Sequence, residues 1–126
     1  MERLLWIMFA GALGTATRYL IGLWAAQRLG TTFPYATLIV NVVGCFLIAL
    51  VLEFSLTRAN FPSTLKLAIT TGYLGGLTTY SSFNYESSRL LFAGAQSTAL
   101  LNVGLTLATC FIAGILGGAL ARALPH

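Results

Sequence analysis

Four long apolar stretches follow one another along the chain, separated by short segments rich in turn-forming residues. The connecting segments contain "RLGTTFP", "TRANFPS" and "AGAQS", and glycine, proline, asparagine and serine favour turns. A helix needs about 20 apolar residues to cross a bilayer, so the pattern predicts four membrane-spanning helices. We expect these spans at about 4–28, 34–56, 63–93 and 98–122.

The third apolar stretch is too long for one straight crossing, and the segment "TTGYLGGLTT" interrupts it. Glycine costs about 1 kcal/mol in a helix interior, so Gly72, Gly75 and Gly76 predict two half-helices joined by an unwound centre. Non-helical backbone survives at membrane depth only inside protein or beside a water-filled cavity. Broken helices of this kind hold ions in transporters. The third stretch therefore predicts an ion-handling site.

The composition agrees with a membrane protein. Of the 126 residues, 57% are hydrophobic and 8% are charged, and the mean hydropathy is +0.84. Soluble domains carry about 25% charged residues, so the chain has too little polar surface for a water-facing globule. We expect one all-α integral membrane domain over residues 1–126. The apolar start resembles a signal peptide, but Glu2 offsets Arg3 and the apolar run continues beyond the usual length.

The charges are few and scattered. A net charge of +4 without a basic cluster excludes nucleic acid as an expected partner. With the N-terminus inside, four basic residues fall on the cytoplasmic side and two on the other: Arg3, Arg58, Lys66 and Arg122 against Arg28 and Arg89. This is a weak bias under the positive-inside rule. A chain with so little preference can insert both ways, which suggests a homodimer of oppositely oriented copies.

Small residues and cysteines add little on their own. Gly114 and Gly118 form a GxxxG pattern, which fits either contact with a second copy or packing within the chain. Cys45 and Cys110 stand alone in apolar stretches without the spacing of a metal or redox motif. We therefore expect these two cysteines to be small core residues.

Three charged residues lie within or at the ends of the predicted spans. Arg18 is near the middle of span one, where an unpaired cation costs from about 3 to over 10 kcal/mol. It is either a structural clamp or part of an electropositive vestibule that attracts anions. Glu53 is close enough to the end of span two to be solvated. Glu86 either couples transport to protons or cations, or accepts hydrogen bonds from nearby hydroxyl groups.

Neutral polar residues form stripes on two other spans. Thr37 and Asn41 share one face of span two, and Asn41 is either a bond between helices or a donor that lines a pore. Asn102, Thr106 and Cys110 recur every four residues along span four. Neutral donors suit a species that must be bound and then released, because conduction requires favourable but weak binding.

The stretch "GGLTTYSSFNYE" at 75–86 combines these features. Tyr80 and Phe83 share a helix face, and Ser81 and Ser82 lie between them. Aromatic rings have positive edges, and hydroxyl groups can replace the water around an anion. A donor-rich track without fixed charge favours a small anion that is a strong hydrogen-bond acceptor.

The pattern "GxxGGLTTxSSF", after a span with "NxxG" in a chain of this length, resembles the small bacterial fluoride channels, also called CrcB or Fluc proteins. The resemblance covers essentially the whole chain. It implies an antiparallel, dual-topology homodimer in the bacterial inner (plasma) membrane, with two pores through which cytoplasmic fluoride leaves passively. It also implies a structural sodium ion at the dimer interface.

The resemblance also implies roles for individual residues. The backbone carbonyl groups of Gly75 and Thr78 would bind sodium, and Arg18 would lie in the vestibule. The fluoride pore would be lined by Asn41, Tyr80, Ser81, Ser82, Phe83, Thr37, Asn102, Thr106 and Cys110. The family usually has phenylalanine where this chain has Tyr80, whose hydroxyl group adds a donor.

Two other functions compete with a channel. A proton-coupled exporter of the small multidrug type also has four spans, but it needs a carboxylate deep in span one, where this chain has Arg18. A structural subunit of a larger complex explains the hydrophobicity but not the donor-rich track. An enzyme is not expected, since His126 is the last residue and no nucleophile has a base at a suitable spacing.

Overall fold

The computed structural model describes residues 1–58 and 60–124, and this part of the chain is built of helices without strands. The elements are α1 (Glu2–Leu29), α2 (Tyr35–Thr57), α3 (Ser63–Leu67), a π-helical segment (Ala68–Leu74), α4 (Gly75–Leu77), α5 (Tyr80–Phe92) and α6 (Gln96–Ala123). The all-α prediction is confirmed.

Three of these helices are long and apolar enough to cross a membrane. They are α1, α2 and α6, in which an 18-residue stretch has a mean hydropathy of 1.4, 2.4 and 2.1, respectively. The third predicted span is divided among shorter elements, so its crossing of the membrane stays a prediction. Glycines follow two of the helices: Gly30 after α1 has φ 84° and Gly94 after α5 has φ 77°, the left-handed region that glycine adopts without strain.

The interruption of the third span lies at Thr78 and Thr79. Helical backbone continues through α3, the π-helical segment and α4 as far as Leu77. Thr78 and Thr79 are then extended, with ψ of 156° and 114°. The prediction that the glycines themselves unwind is wrong, because Gly72, Gly75 and Gly76 all have helical backbone.

The helical glycines allow α1 to approach the third span closely. A Cβ on Gly76 would overlap the carbonyl oxygen of Gly11, and one on Gly72 would lie 2.8 Å from the Cβ of Ala10. On the α1 side of the same contact, a Cβ on Gly14 would overlap the carbonyl oxygen of Tyr73. Small residues at helix interfaces permit such backbone contact in membranes, and this packing outweighs the low helix propensity of glycine.

Helices α2 and α6 form the other closely packed pair. A Cβ on Gly117 would overlap the carbonyl oxygen of Phe46. At the end of the pair, the Nε of Arg122 donates to the Oε2 of Glu53 over 3.0 Å. Glu53 was expected to be merely solvated, and the structure instead gives it this ion pair. The side chain of Arg122 is 72% exposed, so the pair contributes little to stability.

The GxxxG glycines of α6 contact α2 of the same chain. A Cβ on Gly118 would lie 3.6 Å from the Cγ of Glu53, and one on Gly114 would lie 3.9 Å from the carbonyl oxygen of Cys45. Of the two interpretations open for this pattern, packing within the chain is therefore the one with contacts in the described residues.

Candidate functional site

The side chain of Asn41 holds the break in the third span. Its Nδ2 donates to the carbonyl oxygen of Thr79 over 3.0 Å, and its Oδ1 accepts from the N–H of Thr79 over 2.8 Å. The amide thus pairs with both backbone groups of one extended residue, as a neighbouring strand would. Asn41 is 9% exposed and Thr79 is 8% exposed. Both backbone groups are buried, so these bonds remove a substantial desolvation cost.

Thr78 packs against α2 at Gly44, about one helical turn beyond Asn41. Its hydroxyl group donates to the carbonyl oxygen of Leu74 over 2.9 Å, and its Cγ2 methyl group sits where a Cβ on Gly44 would be. Only glycine leaves room for that methyl group. The "NxxG" pattern at residues 41 and 44 is therefore the surface on which α2 receives the break.

The hydroxyl group of Thr79 caps the start of α5. It accepts from the N–H of Ser82 over 3.1 Å and lies 3.0 Å from the Oγ of Ser82, to which it donates. The Oγ of Ser81 is 3.2 Å from the same oxygen. Thr79 was not among the predicted site residues. The signal that could have identified it is a hydroxyl residue three positions before Ser82 at a helix start, which is typical of an N-cap.

Tyr80 and Phe83 form an aromatic pair in the first turn of α5. Their ring centroids are 5.6 Å apart and the rings are inclined by 55°. Phe83 is 6% exposed, whereas Tyr80 is 75% exposed. One ring therefore belongs to the packed interior of the chain, and the other extends from its surface.

The polar stripe of α6 is largely occupied by hydrogen bonds within the chain. Thr106 donates to the Oδ1 of Asn102 over 3.4 Å, and the Nδ2 of Asn102 donates to the Oγ of Ser87 over 2.9 Å. Ser87 in turn donates to the carbonyl oxygen of Phe83 over 2.8 Å. This chain of bonds connects α6 to the backbone of the aromatic pair. Ser87 was not among the predicted site residues, although its spacing of four residues from Phe83 places it on the same face.

Thr37 lies at a second polar cluster, nearer the start of α2. Its hydroxyl group donates to the Oε1 of Glu86 over 2.9 Å. The Oε2 of Glu86 is buried and has no hydrogen-bond partner among the described residues. Glu86 and Arg89 help to line a pocket of about 200 Å³. Of the two roles considered for Glu86, the one seen in the structure is that of an acceptor for a hydrogen bond from a nearby hydroxyl group.

A groove of about 380 Å³ runs along the break. It brings together seven of the predicted site residues: Asn41, Gly75, Thr78, Tyr80, Phe83, Thr106 and Cys110. Five others do not line it: Thr37, Ser81, Ser82, Asn102 and Arg18. None of the described residues that line the groove is charged. Whatever the groove accepts is therefore contacted by neutral groups, which include the rings of Tyr80 and Phe83.

Arg18 lies apart from this groove. It is half-buried on α1 and makes no hydrogen bond or ion pair with another residue in the described ranges 1–58 and 60–124. The adjacent Thr17 receives a hydrogen bond from the Tyr73 hydroxyl over 3.2 Å. Within the described ranges, Arg18 therefore has neither the carboxylate nor the backbone carbonyl group that a structural clamp would require.

Two helix ends of opposite polarity meet at the break. The C-terminal end of α4 presents carbonyl oxygens and a partial negative charge, and the N-terminal end of α5 presents N–H groups and a partial positive charge. The N–H of Thr79 would donate to the carbonyl of Gly75 if the helix continued, but it donates to Asn41 instead. The carbonyl of Gly75 thus lacks its usual helical partner.

Comparison with known proteins identifies the family. The family model "CrcB-like protein, Camphor Resistance (CrcB)" matches residues 5–118. The chain belongs to this CrcB-like family. Every residue of the groove lies inside the matched range.

Individual CrcB-like relatives are similar over nearly their whole length. A protein from Sorangium cellulosum is 46% identical over 124 residues, covering 98% of both chains. One from Citrifermentans bemidjiense is 48% identical, covering 98% of this chain and 100% of the relative. One from Clostridium perfringens is 41% identical over 127 residues, covering 98% and 99%. Each of these three relatives is named "Fluoride-specific ion channel FluC".

Proposed function

We propose that this CrcB-like chain is a fluoride-selective channel through which cytoplasmic fluoride leaves the cell passively. The observation that carries the proposal is the uncharged groove at the clamped break of the third span. Relatives that are similar to the chain over nearly its whole length are named as fluoride-specific channels rather than as enzymes. This agrees with a site that offers donors but no reactive group.

The start of α5 supplies the features that recognise fluoride. The N-terminal end of a helix attracts anions through its free N–H groups and its dipole. The ring edges of Tyr80 and Phe83 carry partial positive charge, and both rings line the groove. Fluoride is small and accepts hydrogen bonds strongly, so it gains more from these groups than chloride does. Because none of the described groove residues carries a positive charge, the anion can also leave.

A second copy of the chain completes the pathway. The groove is open along one side in the single chain, and it exposes polar groups where lipid would otherwise contact them. Polar backbone at membrane depth requires protein or water around it. A symmetric homodimer would cover both grooves and create two equivalent pores. The weak charge bias favours oppositely oriented copies, with four transmembrane helices each, in a bacterial inner membrane.

A structural sodium ion fits the end of α4. Sodium is a hard cation that prefers oxygen ligands, and the C-terminal ends of half-helices provide them in transporters. The carbonyl group of Gly75 has lost its helical partner to the bond between Thr79 and Asn41, and Thr78 has extended backbone. These two carbonyl groups would hold the ion, which would bind the two copies together.

The proton-coupled exporter is not favoured. Such a protein needs a carboxylate that the substrate and proton reach in turn, and none of the described groove residues is acidic. Glu86 is engaged by Thr37 instead.

Ion efflux from liposomes tests the proposed function. Vesicles that contain the purified protein are loaded with fluoride or with chloride, and valinomycin clamps the voltage. An ion-selective electrode follows release without a pH gradient. We expect fast release of fluoride and no release of chloride, compared with protein-free vesicles. Release of both anions contradicts selectivity, and release only under a pH gradient supports the exporter. If fluoride is not released, Tyr80→Phe tests whether the additional hydroxyl group blocks the pore.

A further inference from the structure

The two cysteines of the chain face each other across the contact between α2 and α6. Cys45 is on α2 and Cys110 is on α6, and both residues line the same two grooves. The helix backbones are close here, since a Cβ on Gly114, one turn beyond Cys110, would lie 3.9 Å from the carbonyl oxygen of Cys45. Both thiols are free and half-buried. The two cysteines that the sequence predicts as small core residues are thus half-buried and line grooves.

The cysteine pair occupies the wall between two grooves. Both thiols line the 380 Å³ groove at the break, and both also line an adjoining groove of about 770 Å³ along α2 and α6. A small ion in either groove is therefore next to both cysteines. No contact among the described residues explains why two cysteines lie together at the groove of the candidate pore.

The chemistry of the pair selects a particular class of ligand. Structural zinc sites use four ligands, and the described residues contain no group of three or more His, Cys, Asp or Glu side chains that could hold a metal. Thiolates prefer soft metals, and silver(I), copper(I) and mercury(II) are satisfied by two sulfur ligands in a line. We propose that Cys45 and Cys110 together bind one soft, two-coordinate metal ion per chain, and that the bound ion closes the fluoride path.

The binding step balances with two protons released. Each thiol loses its proton to become a ligand, so one silver ion and two thiols give one bis-thiolate silver complex with a net charge of −1. This complex stands on the wall of the groove that Tyr80 and Phe83 also line. It fills space and repels fluoride, for which the groove otherwise offers only neutral groups. The closure rests on the proposed channel function, whereas the binding itself does not.

Calorimetric titration with silver nitrate tests the site. The purified protein is kept in detergent without chloride or added thiols, because both remove silver from solution. We expect one silver ion per chain and about two protons released per ion, measured in buffers of different ionisation enthalpy. Cys45→Ser and Cys110→Ser should each lower the affinity by at least about 100-fold, since loss of an outer-shell partner alone costs about 10- to 100-fold.

The stoichiometry distinguishes a pair from two separate thiols. Two silver ions per chain, with one retained at undiminished affinity in each single variant, would overturn the proposal. Gel filtration of the two serine variants verifies that they remain folded. Cys45→Ala and Cys110→Ala repeat the comparison without a hydroxyl group. They distinguish the loss of the thiol from an effect of the hydroxyl group that serine introduces.

Fluoride efflux in the presence of silver tests the closure. Vesicles contain fluoride and nitrate as the only anions, and each variant is compared with its own rate before silver is added. We expect micromolar silver to stop efflux through the unaltered protein, excess dithiothreitol to restore it, and Cys45→Ser to resist. If protein with one bound silver ion conducts at its original rate, the closure is overturned while the site stands. Absence of efflux before silver is added contradicts the proposed function, and calorimetry alone then decides the site.

Discussion

Asn41 shows how one side chain can create a stable break in a membrane helix. An extended residue at membrane depth has a donor and an acceptor that no helix satisfies, and Asn41 satisfies both for Thr79. From the sequence, Asn41 is either a bond between helices or a donor in a pore. The structure provides the first of these. The amide still lines the groove, so the pore role stays a prediction.

Asn41→Ala should therefore destabilise the protein and abolish fluoride efflux. It leaves the N–H and the carbonyl group of Thr79 buried and unpaired, and each unsatisfied group costs about 1–3 kcal/mol. The measurements are the midpoint of thermal unfolding in detergent and the efflux rate from liposomes.

Asn84→Ala is the matched control for this change. Asn84 is exposed on α5, so the same atoms are removed where they satisfy no buried group. Equal unfolding midpoints and equal rates for the two variants would show that the break does not depend on the amide of Asn41.

At the scale of elements, the glycines of the third span explain both the success and the error of the sequence-based prediction. Their low helix propensity correctly pointed to an interrupted span. Their actual contribution is close contact with α1, which depends on the tertiary structure and not on local propensity. The interruption falls at Thr78 and Thr79, because Asn41 and Gly44 on another helix hold those two residues. A pattern along one segment could not reveal a partner that distant in sequence.

Gly14→Ala should weaken the contact between α1 and the third span. The added methyl group would overlap the carbonyl oxygen of Tyr73, and overpacking of this kind costs about 1–3 kcal/mol. Gly22→Ala on the same helix is the control, since no atom lies within 4 Å of its Cβ position. Alanine is the better helix former, so we expect Gly22→Ala to unfold at the same or a higher temperature and Gly14→Ala at a lower one. Equal shifts contradict the close contact.

Ser87→Ala should disconnect α6 from the aromatic pair. The change leaves the buried Nδ2 of Asn102 without its acceptor and removes the donor to the carbonyl oxygen of Phe83. We expect a loss of about 1–3 kcal/mol in stability and slower fluoride efflux, because the backbone that carries Phe83 is less firmly placed.

Ser88→Ala provides the comparison for Ser87→Ala. Ser88 is half-buried and makes no side-chain hydrogen bond with another described residue. If both serine variants retain the original unfolding midpoint and efflux rate, the chain of bonds through Ser87 does not support the site.

At the scale of the whole molecule, the proposed arrangement of two oppositely oriented copies rests on two observations. The charge bias between the two sides is small, and the groove is open in the single chain. Sequence could predict the helices, since hydropathy and turn residues mark them directly. It could not predict which donors face the groove, because Asn102 and Ser82 are turned toward partners within the chain.

Opposite orientations can be tested at the C-terminal end of α6. A protein with Cys45→Ser, Cys110→Ser and Ala123→Cys has one thiol, at the end of the last helix. A membrane-impermeant maleimide should label about half of these thiols from outside intact cells, and the rest only after permeabilisation. Labelling that occurs entirely from one side contradicts the dual topology and leaves the fluoride path to be explained with parallel copies.

The reversal potential across a planar bilayer tests the central claim most directly. Fluoride is set at a tenfold gradient, chloride is equal on both sides, and the counter-cation is too large to permeate. A passive fluoride-selective channel predicts a reversal potential of about 59 mV in magnitude, with the sign of a permeant anion, unchanged when the pH of one side is altered. A reversal potential well below this magnitude would show that chloride permeates beside fluoride, and a value of zero would show that fluoride does not permeate. A reversal potential that follows the pH gradient would show that protons are coupled to transport.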